Sequence, residues 1–110
     1  MALVSGQAVK GHLDTMLLAV IRDGANYGYA IAERLRTQSD GLFDLPDGTI
    51  YPALRRLEDK GFLTSEWVSL GERKRKVYSL TGKGERELVR RRGEWLRFQR
   101  SVGTILGGEA

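Results

Sequence analysis

Apolar residues fall at helical spacing in three short stretches of this chain, give way once to two apolar segments split by a charged, glycine-led turn, and return to helical spacing in one long final stretch. In the first stretch Leu13, Met16, Leu17, Val20 and Ile21 recur at i, i+3, i+4, i+7 and i+8, one stripe on a helix that ends near Asp23 and Gly24. The second runs from about Gly28 to Gln38, with Ile31 and Leu35 four apart and Glu33, Arg34 and Arg36 on the other side; Ser39, Asp40 and Gly41 are a stop signal. The third begins near Asp47 to Thr49, where either side-chain oxygen can cap exposed amides, and turns Ile50, Ala53, Leu54 and Leu57 inward before stopping at Gly61. Pro52 falls in its first turn, where a missing amide hydrogen costs little. Residues 62–70 and 76–80 are rich in Val, Leu, Phe, Trp and Tyr and flank the charged stretch 71–75, which predicts a two-stranded hairpin with a basic tip. Thr81 can cap a last helix that continues to about Leu106 and stops at Gly107 and Gly108.

The order helix, helix, helix, hairpin, helix predicts a mostly α fold with a small β-hairpin. Two short helices meeting through a tight connection, the second followed by a basic hairpin, form the winged helix-turn-helix, which places a helix in the DNA major groove. With 110 residues there is room for one hydrophobic core. The expected divisions are an N-terminal tail at 1–9, a winged helix DNA-binding domain at 10–80, a C-terminal dimerisation helix at 81–106 and a tail at 107–110.

Charge is unevenly spread. Between Glu72 and Arg100 eleven basic residues stand against four acidic ones, a local balance of +7 in a chain whose total is only +4. A positive field confined to one part of the chain suits a polyanion, although a solvated arginine-rich helix face would give the same count. On the third helix a rotation of about 100° per residue sets Gly48, Pro52 and Arg55 opposite the Ile50, Leu54, Leu57 stripe, flanked by Thr49, Tyr51 and Arg56. Arginine takes guanine with two hydrogen bonds, and hydroxyls reach phosphates or base edges, so Arg55 is the first candidate for base readout. The alternative is that Arg55 and Arg56 pair with Glu58, Asp59 or acids of the second helix. Arg73, Lys74 and Arg75 cannot all pair with Glu72, and a loop of surplus positive charge suits a phosphate backbone or the minor groove.

Other classes of function find little support. His12 is the sole histidine and there is no cysteine, which leaves no set of metal ligands and no disulfide framework. No serine lies in a nucleophile motif, and Gly82 and Gly84 lack the lysine of a phosphate loop. Neither catalysis nor a cofactor is expected. The longest strongly apolar run, residues 16–21, is far below the roughly 20 residues of a membrane span, and no signal region opens the chain, which reads as cytoplasmic. A winged helix that binds protein or RNA remains the alternative class, separated from a DNA binder by the salt dependence of nucleic-acid affinity.

Tyr27, Gly28, Tyr29, Ala30 and Ile31, the run Gly48, Thr49, Ile50, Tyr51, Pro52, Ala53, Leu54, Arg55, Arg56, Leu57 and Glu58, and Gly61 closely resemble the signature of the PadR family of bacterial transcriptional regulators. Tyr78, Ser79, Leu80, Thr81 and Gly84 match the close of its wing and the start of its last helix, while Val77 stands where many relatives have another aromatic. The resemblance covers about residues 13–105. It implies a dimeric winged-helix repressor with Thr49, Tyr51, Pro52 and Arg55 on the DNA face and Arg73 to Arg75 in the wing. A single C-terminal helix is similar to the short subgroup, whose members include sensors of aromatic or multidrug compounds.

The last helix points to a homodimer on its own evidence. Leu88, Trp95, Phe98, Val102 and Ile105 follow heptad positions interrupted by Arg91, a seam that a partner helix would cover. The stripe could equally pack on the first helix, and Val89 and Leu96 form a second stripe that allows both. Trp95 is the candidate wall of an effector pocket between subunits, where the resemblance implies that a planar aromatic or cationic small molecule binds; the other possibility is that Trp95 and Phe98 fill the dimer core. Gly93 inside this helix has no evident reason.

Overall fold

The computed structural model describes residues 6–108, with side chains from residue 12 onward; residues 1–5 and 109–110 of the two expected tails lie outside the described residues. Helices α1 (Gly6–Arg22), α2 (Gly28–Gln38) and α3 (Asp47–Asp59) lead into a hairpin of β1 (Leu63–Leu70) and β2 (Arg73–Leu80), and α4 (Gly82–Ile105) closes the chain. This is the mostly α winged helix-turn-helix expected from the sequence. α1 begins at Gly6, inside the stretch expected as a tail, because residues before Leu13 carry no apolar repeat by which to detect a helix.

α1 is the central element, touching α2, α3, β2 and α4. Its apolar stripe is wider than the spacing suggested: Leu17 and the unanticipated Leu18 are both fully buried, whereas Met16 is only half-buried. Ile31 of α2 and Ile50, Leu54 and Leu57 of α3 complete the centre. Each such side chain contributes about 1.5 to 3 kcal/mol by leaving water, so this cluster fixes how α3 sits on α1. The N-cap of α3 is Pro46 and no side chain caps it; Asp47 and Thr49 both lie within the helix, which corrects the capping expected of them. Pro46 offers only its carbonyl, which accepts from the amides of Thr49 and Ile50.

Gly61, at φ 82°, ends α3 in a left-handed turn with Gly61 N–H bonded to Glu58 and Phe62 N–H to Leu57. The chain reverses there into β1. Leu63 then pairs with Leu80, Trp67 with Lys76 and Leu70 with Arg73, so the loop is only Gly71 and Glu72. Gly71 takes φ 66°, the first position of a two-residue turn whose twist matches the strands. The expected basic tip is therefore corrected: Arg73, Lys74 and Arg75 are strand residues held by pairing with Leu70, Ser69 and Val68.

Two bonds fasten the base of this wing. Tyr78 N–H donates to Asn26 of the α1–α2 connection at 2.7 Å, and Thr81 N–H to Phe62 at 3.1 Å. The Thr81 hydroxyl donates to the Gly61 carbonyl at 2.6 Å and accepts from Gly84 N–H at 2.9 Å, capping α4 as expected. Gly84 is buried there, since a side chain would run into the Phe62 carbonyl. From Glu94 to Ile105 no residue of α4 is buried, and only Val102 and Gly103 are half-buried.

Candidate nucleic-acid interface

The burial of Ile50, Ala53, Leu54 and Leu57 turns the opposite side of α3 outward, and Gly48, Tyr51, Pro52 and Arg55 are exposed on it as the helical rotation required. Thr49 is half-buried at the edge. The Tyr51 ring lies across the start of α2 where residue 28 has no side chain; a methyl group there would overlap the Tyr51 hydroxyl. α2 and α3 thus approach closely because of Gly28, and Tyr51 is held at the rim of a concavity of about 1120 Å³ between α2, α3 and the wing.

The basic residues around that concavity divide into committed and uncommitted groups. Arg56 donates to Asp14 of α1 at 2.7 Å, which ties α3 to α1; an acid does pair with it, but this is Asp14 rather than Glu58, Asp59 or an acid of α2. Lys76 lies 3.7 Å from Glu58, which also accepts a 2.6 Å bond from Ser65. Arg75 stacks its guanidinium over the Tyr27 ring at 3.6 Å. Arg55, Arg73 and Lys74 are exposed and have no carboxylate partner among the described residues. Burial, then the nearby Glu58 and Tyr51, push the Tyr78 phenol up. A concave surface with surplus positive charge on two of its sides attracts a phosphate backbone.

The residues expected on a dimer seam do not share one environment. Leu88 is only 3% exposed and belongs to the protein's own core, a correction: at that height α4 still lies on α1 and β2. Trp95, Phe98 and Ile105 are exposed and Val102 half-buried, on the second half of α4. Trp95 packs edge-on against His12 at 4.9 Å and lies 6.0 Å from Phe98. These side chains, with Thr15 and Met16 of α1, Phe43 of the α2–α3 connection and Arg91, line a second cavity of about 460 Å³. Arg91 is folded back onto Glu87 at 2.6 Å, and Arg90 bridges Glu87 and Glu94. The bond from Arg90, helped by Arg91, holds the Glu87 carboxyl at about 2, well below its ordinary value. A side chain at Gly93 would meet only the end of Arg97, so packing does not explain that glycine.

Asp14, Trp67, His12 and Phe43 were missed by sequence reasoning. Asp14 and Arg56 are 42 positions apart, and nothing local links them. His12 and Met16 are four apart on α1, the one signal that could have placed His12 near the cavity. Among the described residues no cluster of metal-ligating side chains occurs, and no helix is long and apolar enough to cross a membrane.

Residues 17–90 match the family model described as the transcriptional regulator PadR-like family. Over 73 residues the chain is 32% identical to the negative transcriptional regulator PadR of Bacillus subtilis, a match covering 66% of this chain and 40% of that protein. A transcriptional regulator from Clostridium thermocellum superposes with a TM-score of 0.84 at 27% identity, covering 93% of this chain and 97% of that one. A PadR-like transcriptional regulator from Bacillus cereus does so with a TM-score of 0.82 at 28% identity, covering 94% and 100%. Such coverage is too high to leave out the hairpin or α4.

Proposed function

The chain belongs to the PadR-like family of transcriptional regulators, and on that premise we propose that it is a repressor: a homodimer that binds an inverted-repeat operator through α3 and the wing, and releases it when a small molecule enters beside Trp95. The family and the similar structures are regulators of transcription, not enzymes. The observation that carries the proposal is the grouping of uncommitted cations, Arg55 on α3 with Arg73 and Lys74 on the wing, around one concavity. Arg55 reads a base edge, and the wing cations hold the backbone. Thr49, Tyr51 and Pro52 line the approach, whereas Arg56 contributes by fixing α3 on α1.

The dimer reading rests on Trp95, Phe98 and Ile105, exposed, and on Val102, half-buried, none of them buried among the described residues. A two-fold axis through the distal half of α4 pairs the same face of two copies and sets two recognition helices about 34 Å apart, one helical turn of DNA. The effector reading rests on the cavity beside Trp95, whose lining includes the rings of His12, Phe43, Trp95 and Phe98 and suits a planar ring; an indole face attracts a cation by about 0.5 to 2 kcal/mol. Gel-shift titration of the DNA upstream of the protein's own gene at two salt concentrations tests the proposal. A specific complex whose affinity falls steeply with salt is expected, and affinity indifferent to salt would refute it.

A further inference from the structure

Trp67 is the largest exposed side chain to which the proposed function gives no role. It is 67% exposed near the middle of β1. Strand alternation puts it on the same face of the hairpin as Ser65 and Ser69, with Lys76 directly opposite and Lys74 and the buried Tyr78 on either side. Trp67 lines the concavity together with Tyr51 and Arg55, as do Lys74, Lys76 and Tyr78 of its own hairpin face. A tryptophan left in water forgoes a large apolar stabilisation, and one inside a ring of cations is poorly placed to meet another apolar surface.

We propose that Trp67 is a groove-contacting residue that lays its indole in the DNA minor groove beside the major groove entered by α3, and so selects A·T pairs there. This rests on the reading of the concavity as a DNA site. The occupant follows from charge and shape. Lys74 and Lys76 flank the indole and draw it towards phosphates, and the minor groove is the narrow slot between two phosphate rows that a flat ring fits. Its floor offers acceptors from adenine and thymine to the indole N–H, the one donor Trp67 has. Guanine places an amino group in the same position, which blocks the ring and offers a donor to a donor. Specificity then has two sources on one face: Arg55 for the major groove, Trp67 for its neighbour.

The test begins with a duplex enriched by the wild-type protein from a random-sequence pool. The A·T pairs flanking its core are replaced by I·C, which presents the minor-groove face of A·T, or by G·C, which adds the amino group. Wild-type protein should tolerate I·C and lose about tenfold with G·C, the size of one lost stacking or groove contact. W67A should bind the original duplex about tenfold more weakly, no longer separate I·C from G·C, and keep the wild-type salt dependence, because an indole releases no counterions. W67F, which keeps a ring but loses the N–H, should fall between the two and carries the test if W67A does not fold. Wild-type affinity and unchanged I·C against G·C discrimination in W67A or W67F would overturn the proposal, as would a change of oligomeric state in either, which would mean that a second copy covers the ring. If no duplex is enriched, the DNA reading itself falls, and this proposal falls with it.

Discussion

Arg55 and Arg56 are adjacent and chemically identical, yet their geometry predicts opposite phenotypes. Arg56 makes a charge-assisted bond at 2.7 Å to Asp14, whose side chain is only 13% exposed while that of Arg56 is 45% exposed. Such a bond is worth about 1.5 to 3 kcal/mol when fully shielded, and exposure of the guanidinium reduces it to about 1 kcal/mol. Arg56→Ala should therefore lower stability by about 1 kcal/mol or somewhat more, because it also strips a largely buried carboxylate of its partner. Arg55→Ala removes a side chain without a carboxylate partner among the described residues, so stability should stay within about 0.5 kcal/mol while discrimination at one or two base pairs falls by about 1 to 3 kcal/mol. Urea unfolding of Arg55→Ala, Arg56→Ala, Asp14→Ala and the Asp14→Ala/Arg56→Ala double variant gives the coupling energy directly, and gel shifts on cognate and mismatched duplexes give the readout. Additive losses in the cycle, or equal effects of the two arginines in both assays, would refute the division of labour.

Phe98→Asp should give a monomer by light scattering at micromolar concentration and abolish tight DNA binding, because an unpaired carboxylate cannot stay in an apolar interface; a variant that remains dimeric removes α4 from the interface. Trp95→Ala should lose most affinity for a planar cationic dye followed by fluorescence quenching; undiminished binding would leave Trp95 as packing alone. Glu87, held at about 2 against an ordinary 4.5, stabilises α4 above roughly pH 4.5, and that contribution should vanish as pH falls towards 2. Melting temperatures of Glu87→Gln should accordingly vary less with pH over that window than those of the wild type. Thr81→Ala removes both the α4 cap and the bond to Gly61 and should cost about 1 to 2 kcal/mol in urea unfolding, most of it restored by Thr81→Ser.

The elements were legible in the sequence wherever burial is one-sided. The outward face of α3 followed from rotation alone, since Ile50, Leu54 and Leu57 leave one direction for Arg55. The wing was read short because Arg73, Lys74 and Arg75 carry no apolar signal of their own; what makes them a strand is the register of Val68, Ser69 and Leu70 across the hairpin. Leu88 was misassigned because a heptad repeat does not mark where a helix stops burying side chains in its own protein. The Asp14–Arg56 tie and the gathering of His12, Phe43 and Trp95 are products of the tertiary arrangement, invisible until α1 is set against its neighbours.

The stretch of α4 from Glu94 to Ile105, without a buried residue, has a consequence for dosage. A helix propagates from its docked first half at little cost per residue but gains little without tertiary packing, so this arm is the part of α4 whose order depends most on whatever covers it. Under the dimer proposal folding of the arm and association are then one equilibrium, and its midpoint moves with protein concentration. Dilution of such a dimer would fray the arm and separate the two recognition helices with no effector involved. For a repressor of that kind the abundance of the chain would be an input in its own right, and a gene controlled by its own product would hold that abundance near the point where the arms begin to pair.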